Sequence, residues 1–404
     1  MTHIRPFSDQ EIRERAQVLG AALAESGLDA AVLTSYTAIY YYTGVPIHQF
    51  GRPAAAVLDA DGGVTLICNI LEKVHVDSQA TADAIVYYSD HNHDSGYTAP
   101  RDPRTSVVEL TAEAVRQRAP GTARVGVEEN DLSLHTWRRL QAALPGVSLE
   151  PAERLAERPR LTLSPAELAL VRAADEICDR GQQYLLDHMR PGSGAEEISE
   201  SCRAAMLDLT LAEHADKPFY FHHNAGLGDA RKRAGSSEWY TWNRQGRAER
   251  GMVLDTIFDC FLWGYWGNVE RTVVVGAPAP EVGRAFSAMV DANEAAIDFI
   301  RPGVTMAEVD RVCKDVFAAA GYENSHFGTG MGRGIVSYEG GHRVLPLDVR
   351  LYNELVLEEG MAFSVEPMLG VFGLGSFRHC NTVIVTSRGC EVDSSVRRDL
   401  IVVE

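Results

Sequence analysis

The sequence predicts a two-domain α+β chain, with a smaller α/β domain over residues 1–160 and a duplicated α+β domain over residues 161–404. Helix and strand patterns alternate through the first part, a Pro-bearing connector follows, and segments beyond it recur at an offset of about 110 residues. With 404 residues, 45% of them hydrophobic, the chain can fill two cores.

In residues 8–26 the apolar positions Ile12, Ala16, Leu19 and Leu23 recur at helical spacing, and 29–35 (DAAVLTS) reads as a buried strand. Further strands are expected at 54–58, 64–67, 84–88 and 124–127, with helices at 107–118 and 134–143. The connector at 157–163 contains Pro159 and leads to Ser164, a helix N-cap with Pro165 in the first helical position and Glu167 in the third.

Beyond it, MRPGSGAEEI at Met189 recurs as IRPGVTMAEV at Ile300, and RGMVLDT at Arg250 recurs as EGMAFSV at Glu359. Each half reads as a long helix stopped by Arg-Pro-Gly, a second helix, and a β-hairpin launched by Gly-Met. Two such halves related by a pseudo-twofold axis leave a cleft between them, where a ligand site is expected.

A formal net charge of −18, from 56 Asp and Glu against 38 Lys and Arg, disfavours a nucleic-acid partner and suits a small cationic or zwitterionic substrate. Seven scattered cysteines offer neither zinc-site nor disulfide spacing, which fits reduced thiols inside a cell. Residues 1–10 lack an apolar core, and no run approaches the ~18 uncharged residues of a membrane span, so a cytoplasmic protein without membrane contact is expected.

The segment 252–276 embeds Glu270 and Arg271 among Trp266, Val269 and Val273. A second carboxylate, Glu366 of Ser-Val-Glu-Pro-Met, falls on the matching strand of the other half. If the halves are twofold-related the two converge, and they repel unless a cation, a metal or a proton lies between them. The plain structural alternative is that each is ion-paired with Arg271 or Arg378. Trp263, Tyr265 and Trp266 cluster in the same hairpin, and Trp266 is the candidate wall of a cation pocket.

Taken together, GYWGNVERT, FGRP at Phe50, GMAFSVEPM and the Arg-Pro-Gly repeats resemble the pita-bread family of creatinase, aminopeptidase P and prolidase (M24), over nearly the whole chain. The resemblance implies a pita-bread catalytic domain preceded by a creatinase-type, ribonuclease H-like α/β domain. In its metallopeptidase members two aspartates, a histidine and two glutamates hold two metal ions, and those places here hold Ile257, Asn268, Met331, Glu366 and Cys380. Only Glu366 is an ordinary ligand for a hard metal, so neither metal nor other cofactor is expected. Asp255 and Asp259, near the lost first aspartate, offer a shifted site without the histidine.

The creatinase branch of the family implies a metal-free homodimer in which two glutamates bind a guanidinium, and these match Glu270 and Glu366. The substrate implied is a small guanidino or amidino acid, with creatine to sarcosine plus urea as the reference reaction. Phe50 and Arg52 match a segment reaching from one subunit's N-terminal domain into its partner's cleft, where Arg52 holds the substrate carboxylate. A second substrate-binding arginine matches His342, with Arg343 adjacent.

Tyr240 stands at the place of the family's basic histidine. His223, in His-His-Asn, supplies an imidazole instead if 225–238 is an insertion, and its pKa of about 6.5 suits a base better than a tyrosine near 10. Cys380 replaces another histidine and is either a thiolate nucleophile or a small core residue. The expected enzyme is an amidinohydrolase cleaving carbon–nitrogen bonds other than peptide bonds. The alternatives are an ectoine-type cyclic amidine hydrolase, a metal-dependent Xaa-Pro peptidase, and an inactive binding module.

Overall fold

The computed structural model describes residues 5–47, 52–89, 107–121, 123–224, 246–323, 328–335, 344–371 and 373–404. The chain divides into two units, Met1–Arg160 and Leu161–Glu404. Among the described residues no helix is long and apolar enough to cross a membrane.

In chain order the first unit comprises α1 (Asp9–Glu25), β1 (Ala30–Leu33), α2 (Tyr36–Thr43), β2 (Ala55–Asp59), β3 (Val64–Asn69), α3 (Lys73–Gln79), β4 (Ala84–Tyr88), α4 (Val107–Arg118), β5 (Arg124–Val127), α5 (Leu134–Ala143), β6 (Ser148–Pro151) and α6 (Glu153–Glu157). Ser8 caps α1 by accepting from the Glu11 amide at 3.1 Å, and Ile12, Ala16, Leu19 and Leu23 are all buried. The strands form one sheet in the order β4-β3-β2-β1-β5-β6, with β1 antiparallel to β2 and parallel to β5. Val32, Val57, Val125 and Val127 pack with Ala112 and Val115 of α4 in a common core. The Tyr- and Thr-rich α2 is strand-prone by composition, yet Ser35 caps its start and Gly44, at φ 75°, ends it.

The second unit continues with α7 (Pro165–His188), α8 (Ala195–Glu213), β7 (Phe219–Asn224), β8 (Val253–Leu262), β9 (Tyr265–Val275), α9 (Pro280–Phe299), α10 (Met306–Ala319), β10 (Gly330–Gly332), β11 (Val344–Val349), β12 (Ala362–Val365), β13 (Leu369–Val371), β14 (Gly375–Phe377), β15 (Asn381–Val385), β16 (Cys390–Val392) and β17 (Ile401–Val403). Ser164 and Glu167 form a reciprocal capping box at the start of α7, and Glu167 also accepts from the Tyr265 hydroxyl at 2.7 Å, which fixes the helix against β9. Gly192 and Gly303, at φ 94° and 92°, turn the chain between the paired helices of the two halves, a conformation that favours glycine.

One sheet runs β17-β9-β8-β7 and the other β11-β10-β12-β15-β16. The first half contains a tight hairpin in which Trp263 and Gly264, both at positive φ, connect β8 to β9. That turn sets the register and places Glu270 opposite Ile257 and Asn268 opposite Asp259. The second half differs from the expected hairpin, because the two-stranded ribbon β13–β14 stands between β12 and its partner β15.

Antiparallel bridges tie β9 to the second half at Tyr265–Ile335 and at Glu270–Cys380, where the Glu270 amide donates to the Cys380 carbonyl at 3.4 Å and the Cys380 amide to the Glu270 carbonyl at 3.1 Å. Arg271, fully buried, donates to both of those carbonyls at 2.7 and 2.9 Å and so braces the seam. Behind it, α7 packs on β9 so closely that a Cβ at Gly267 would lie 2.5 Å from the backbone of Ala174 and Asp175. Gly267→Ala is expected to cost about 1–3 kcal/mol in urea denaturation, the range for overpacking a filled core; an unchanged midpoint would show that α7 yields.

Candidate active site

Strand β9 from one half and the segment after β12 from the other deliver Glu270 and Glu366 to the same place, together with Cys380. Ligand atoms of these three buried side chains lie within 4.8 Å of one another. The Ser364 hydroxyl donates to the Glu366 carboxylate at 3.0 Å, and the Glu366 amide donates to the Thr329 carbonyl at 2.6 Å.

The cation between the carboxylates is the chain's own. Arg378 is in close ion-paired contact with Glu270 and lies 3.6 Å from Glu366 and 3.7 Å from Asp255. Arg271 is not the partner of the Glu270 carboxylate, since its donors go to backbone carbonyls, Asn381 and Ser394. Burial pushes the Glu270 carboxyl well above the ordinary range; Arg378 pulls the other way, and Glu366, Asp255 and Asp259 add to the push. Charge count reinforces the effect of burial, because three carboxylates share one guanidinium.

A second guanidinium, that of Arg333, lies beside this cluster with no exposed surface. Its Nε donates to the Thr382 hydroxyl at 3.0 Å, and its Nη2 lies 3.3 Å from the Cys380 sulfur and 3.4 Å from the Asn268 side-chain oxygen. Its charge sits 4.2 Å over the ring of Trp266, whose indole N–H donates to Asp259 at 2.7 Å. The Cys380 thiol donates to the Asn268 oxygen at 2.8 Å; burial, with Glu366 next in weight, pushes its pKa well up, which disfavours a resting thiolate. His379, also buried, is pushed down to about 3 by burial and then by Arg271, so its imidazole is neutral.

Of the residues singled out in the sequence, Glu270, Glu366, Cys380 and Trp266 come together here. Asp255 faces Arg378, and Asp259 is engaged by Trp266 and by the Asn268 amide at 2.8 Å. The backbone of His223 pairs with Phe258 between β7 and β8. Phe50, Tyr240, His342 and Arg343 lie outside the described residues. Arg52 is partly buried in the first unit. Arg333, in Gly-Met-Gly-Arg-Gly, went unnoticed in the sequence, where an arginine between glycines looks like a solvated turn.

The residues that the sequence resemblance sets at the five metal-ligand places do not fit a metal pair. Ile257 has no donor atom, Met331 offers only a thioether, and Asn268 and Cys380 bond each other. Arg333 and Arg378 add two fixed positive charges that oppose divalent cations.

The sequence matches the model of metallopeptidase family M24 over residues 169–387 and that of the creatinase/prolidase N-terminal domain over residues 15–162. It is 24% identical to the creatinase of Bacillus sp. (strain B-0618), over 95% of this chain and 90% of that one. To the Xaa-Pro dipeptidase of Lactobacillus helveticus it is 27% identical, over 94% and 96%. Among solved structures, dipeptidase PepE from Mycobacterium ulcerans is similar at a TM-score of 0.80 and 26% identity, covering 98% of this chain and 99% of that one.

These relatives overturn the expectation of an amidinohydrolase that leaves peptide bonds alone, because most of them carry dipeptidase or prolidase names. That expectation rested on the missing metal ligands, which bear on how a bond is attacked and not on which bond it is.

Proposed function

We propose that this chain, which belongs to metallopeptidase family M24, hydrolyses a carbon–nitrogen bond of a small amino-acid-derived substrate through its paired carboxylates, with Xaa-Pro peptide bonds as the first class to assay. The observation that carries the reading is the convergence of Glu270 and Glu366 within 4.8 Å in a buried cluster, one of them with a strongly raised pKa. A buried carboxyl that holds its proton beside a second carboxyl is equipped to act as acid to that partner's base.

In this reading Glu366 takes a proton from water as the water oxygen bonds to the substrate carbon, and Glu270 gives its proton to the leaving nitrogen as the carbon–nitrogen bond breaks. Transfer of the proton from Glu366 to Glu270 then restores the starting state. Arg378 holds both carboxylates in place and limits the charge they present to each other.

One observation favours a second reading, a binding module without turnover: Arg378 satisfies the same carboxylates that chemistry would need. The deciding experiment assays purified protein on a panel of Xaa-Pro dipeptides with chelator, without it, and with added Mn²⁺. Chelator-resistant turnover supports the carboxylate mechanism. Turnover that disappears with chelator and returns with Mn²⁺ overturns it in favour of a metal-dependent peptidase, and complete inactivity leaves the binding module.

A further inference from the structure

Arg333 is the least expected charge in the second unit. It is fully buried, and every group it bonds is neutral: the Thr382 hydroxyl, the Cys380 thiol and the Asn268 amide oxygen. Its Nη1 has no hydrogen-bond partner, and among the described residues no carboxylate forms an ion pair with it. Asp175, Glu366 and Asp259 act on it electrostatically from beyond ion-pair range, and Asp175, pushed well up by burial, is a weak counter-ion. A buried guanidinium with a free N–H and no ion pair is costly for a fold to keep without a use for it.

The surroundings fix that guanidinium in place. Trp266 supports it at 4.2 Å, and the bonds from Nε and Nη2 hold the plane of the fork. A planar cation with an open N–H, held rigid on an aromatic face, is complementary to a planar anion.

We infer that Arg333 is the second unit's own cation for an anionic oxygen of the ligand, and that the class it fits is a carboxylate. This rests on the second unit being a small-molecule site, as in the reading above, but does not require turnover.

The probe is formate, followed by acetate and L-proline, titrated into wild type, Arg333→Gln, Arg333→Lys and Trp266→Phe while indole emission is recorded. Wild type is expected to give a saturable change that Trp266→Phe loses. Arg333→Gln is expected to weaken the apparent Kd by about 10- to 100-fold, the worth of one charge-assisted hydrogen bond, with Arg333→Lys intermediate. If Arg333→Gln fails to fold, guanidinium NMR of ¹⁵N-arginine-labelled wild type decides: shifts of one buried arginine with formate support the inference, and none overturns it. An unchanged Kd in Arg333→Gln, or no saturable response in wild type to any of the three, also overturns it. Carboxylate binding without dipeptide turnover retires the hydrolase reading and leaves this inference standing; turnover with a carboxylate affinity indifferent to Arg333 does the reverse.

Discussion

Arg378→Met is expected to destabilise the protein by about 3–5 kcal/mol at neutral pH, with much of that loss recovered in acid. The guanidinium is only 7% exposed and is the cation shared by Glu270, Glu366 and Asp255. Without it three buried carboxylates face one another, and the Glu270 carboxyl, already raised, is pushed further up. Groups raised in the folded state favour folding below their unfolded pKa and lose that contribution as pH rises through the folded value. The variant therefore falls behind wild type as pH rises from the ordinary carboxylate range. Urea denaturation between about pH 4 and pH 8 measures the gap; one that is small and constant with pH would show that the carboxylates do not depend on Arg378.

Glu270→Gln is expected to lower turnover by about 10²–10⁴-fold, the range for loss of a general acid or base, without loss of stability. Arg378 keeps Glu366 and Asp255, so no cation is left unpaired. The folded-state pKa of Glu270 is raised above 4.5, so ionising this carboxyl weakens the native state progressively as pH increases, and glutamine is exempt. The variant should match wild type in acid and gain on it at higher pH. If it is instead less stable at neutral pH, with the deficit shrinking as pH falls, Glu270 is an ionised structural partner of Arg378 and not a proton donor.

Much of this architecture was legible in the chain. Ser-Pro-Ala-Glu at Ser164 announces α7 because each residue has one position in a helix start that it suits. The duplicated Arg-Pro-Gly turns are legible because positive φ restricts the residue choice. The carboxylate pair was legible through symmetry, since an internal repeat predicts convergence without coordinates.

What fills the space between the carboxylates was less legible. Two arginines stood near Glu270 and Glu366 in sequence, and only strand register shows that Arg378 faces the carboxylates while Arg271 points to the seam. Arg333 carried no pattern at all. Its burial results from the sheet around it, and a glycine-flanked arginine has the same local signature in solvent. The helix α2 was hidden for a related reason, since Tyr, Ile and Thr favour strands and only its capping residues decide otherwise.

The bridge between Glu270 and Cys380 also bears on the order in which the protein assembles. It closes a loop of about 110 residues, whereas the helix pairs and the β8–β9 hairpin are local in sequence. Closing so long a loop carries an entropic cost that neighbouring contacts avoid, so the bridge belongs to the late, topology-limited part of folding. The carboxylate pair spans that bridge, with one member on each half. A nascent or partly folded chain can thus hold most of its helices and its first hairpin while its site does not yet exist, and chemical competence arrives only when the two halves meet.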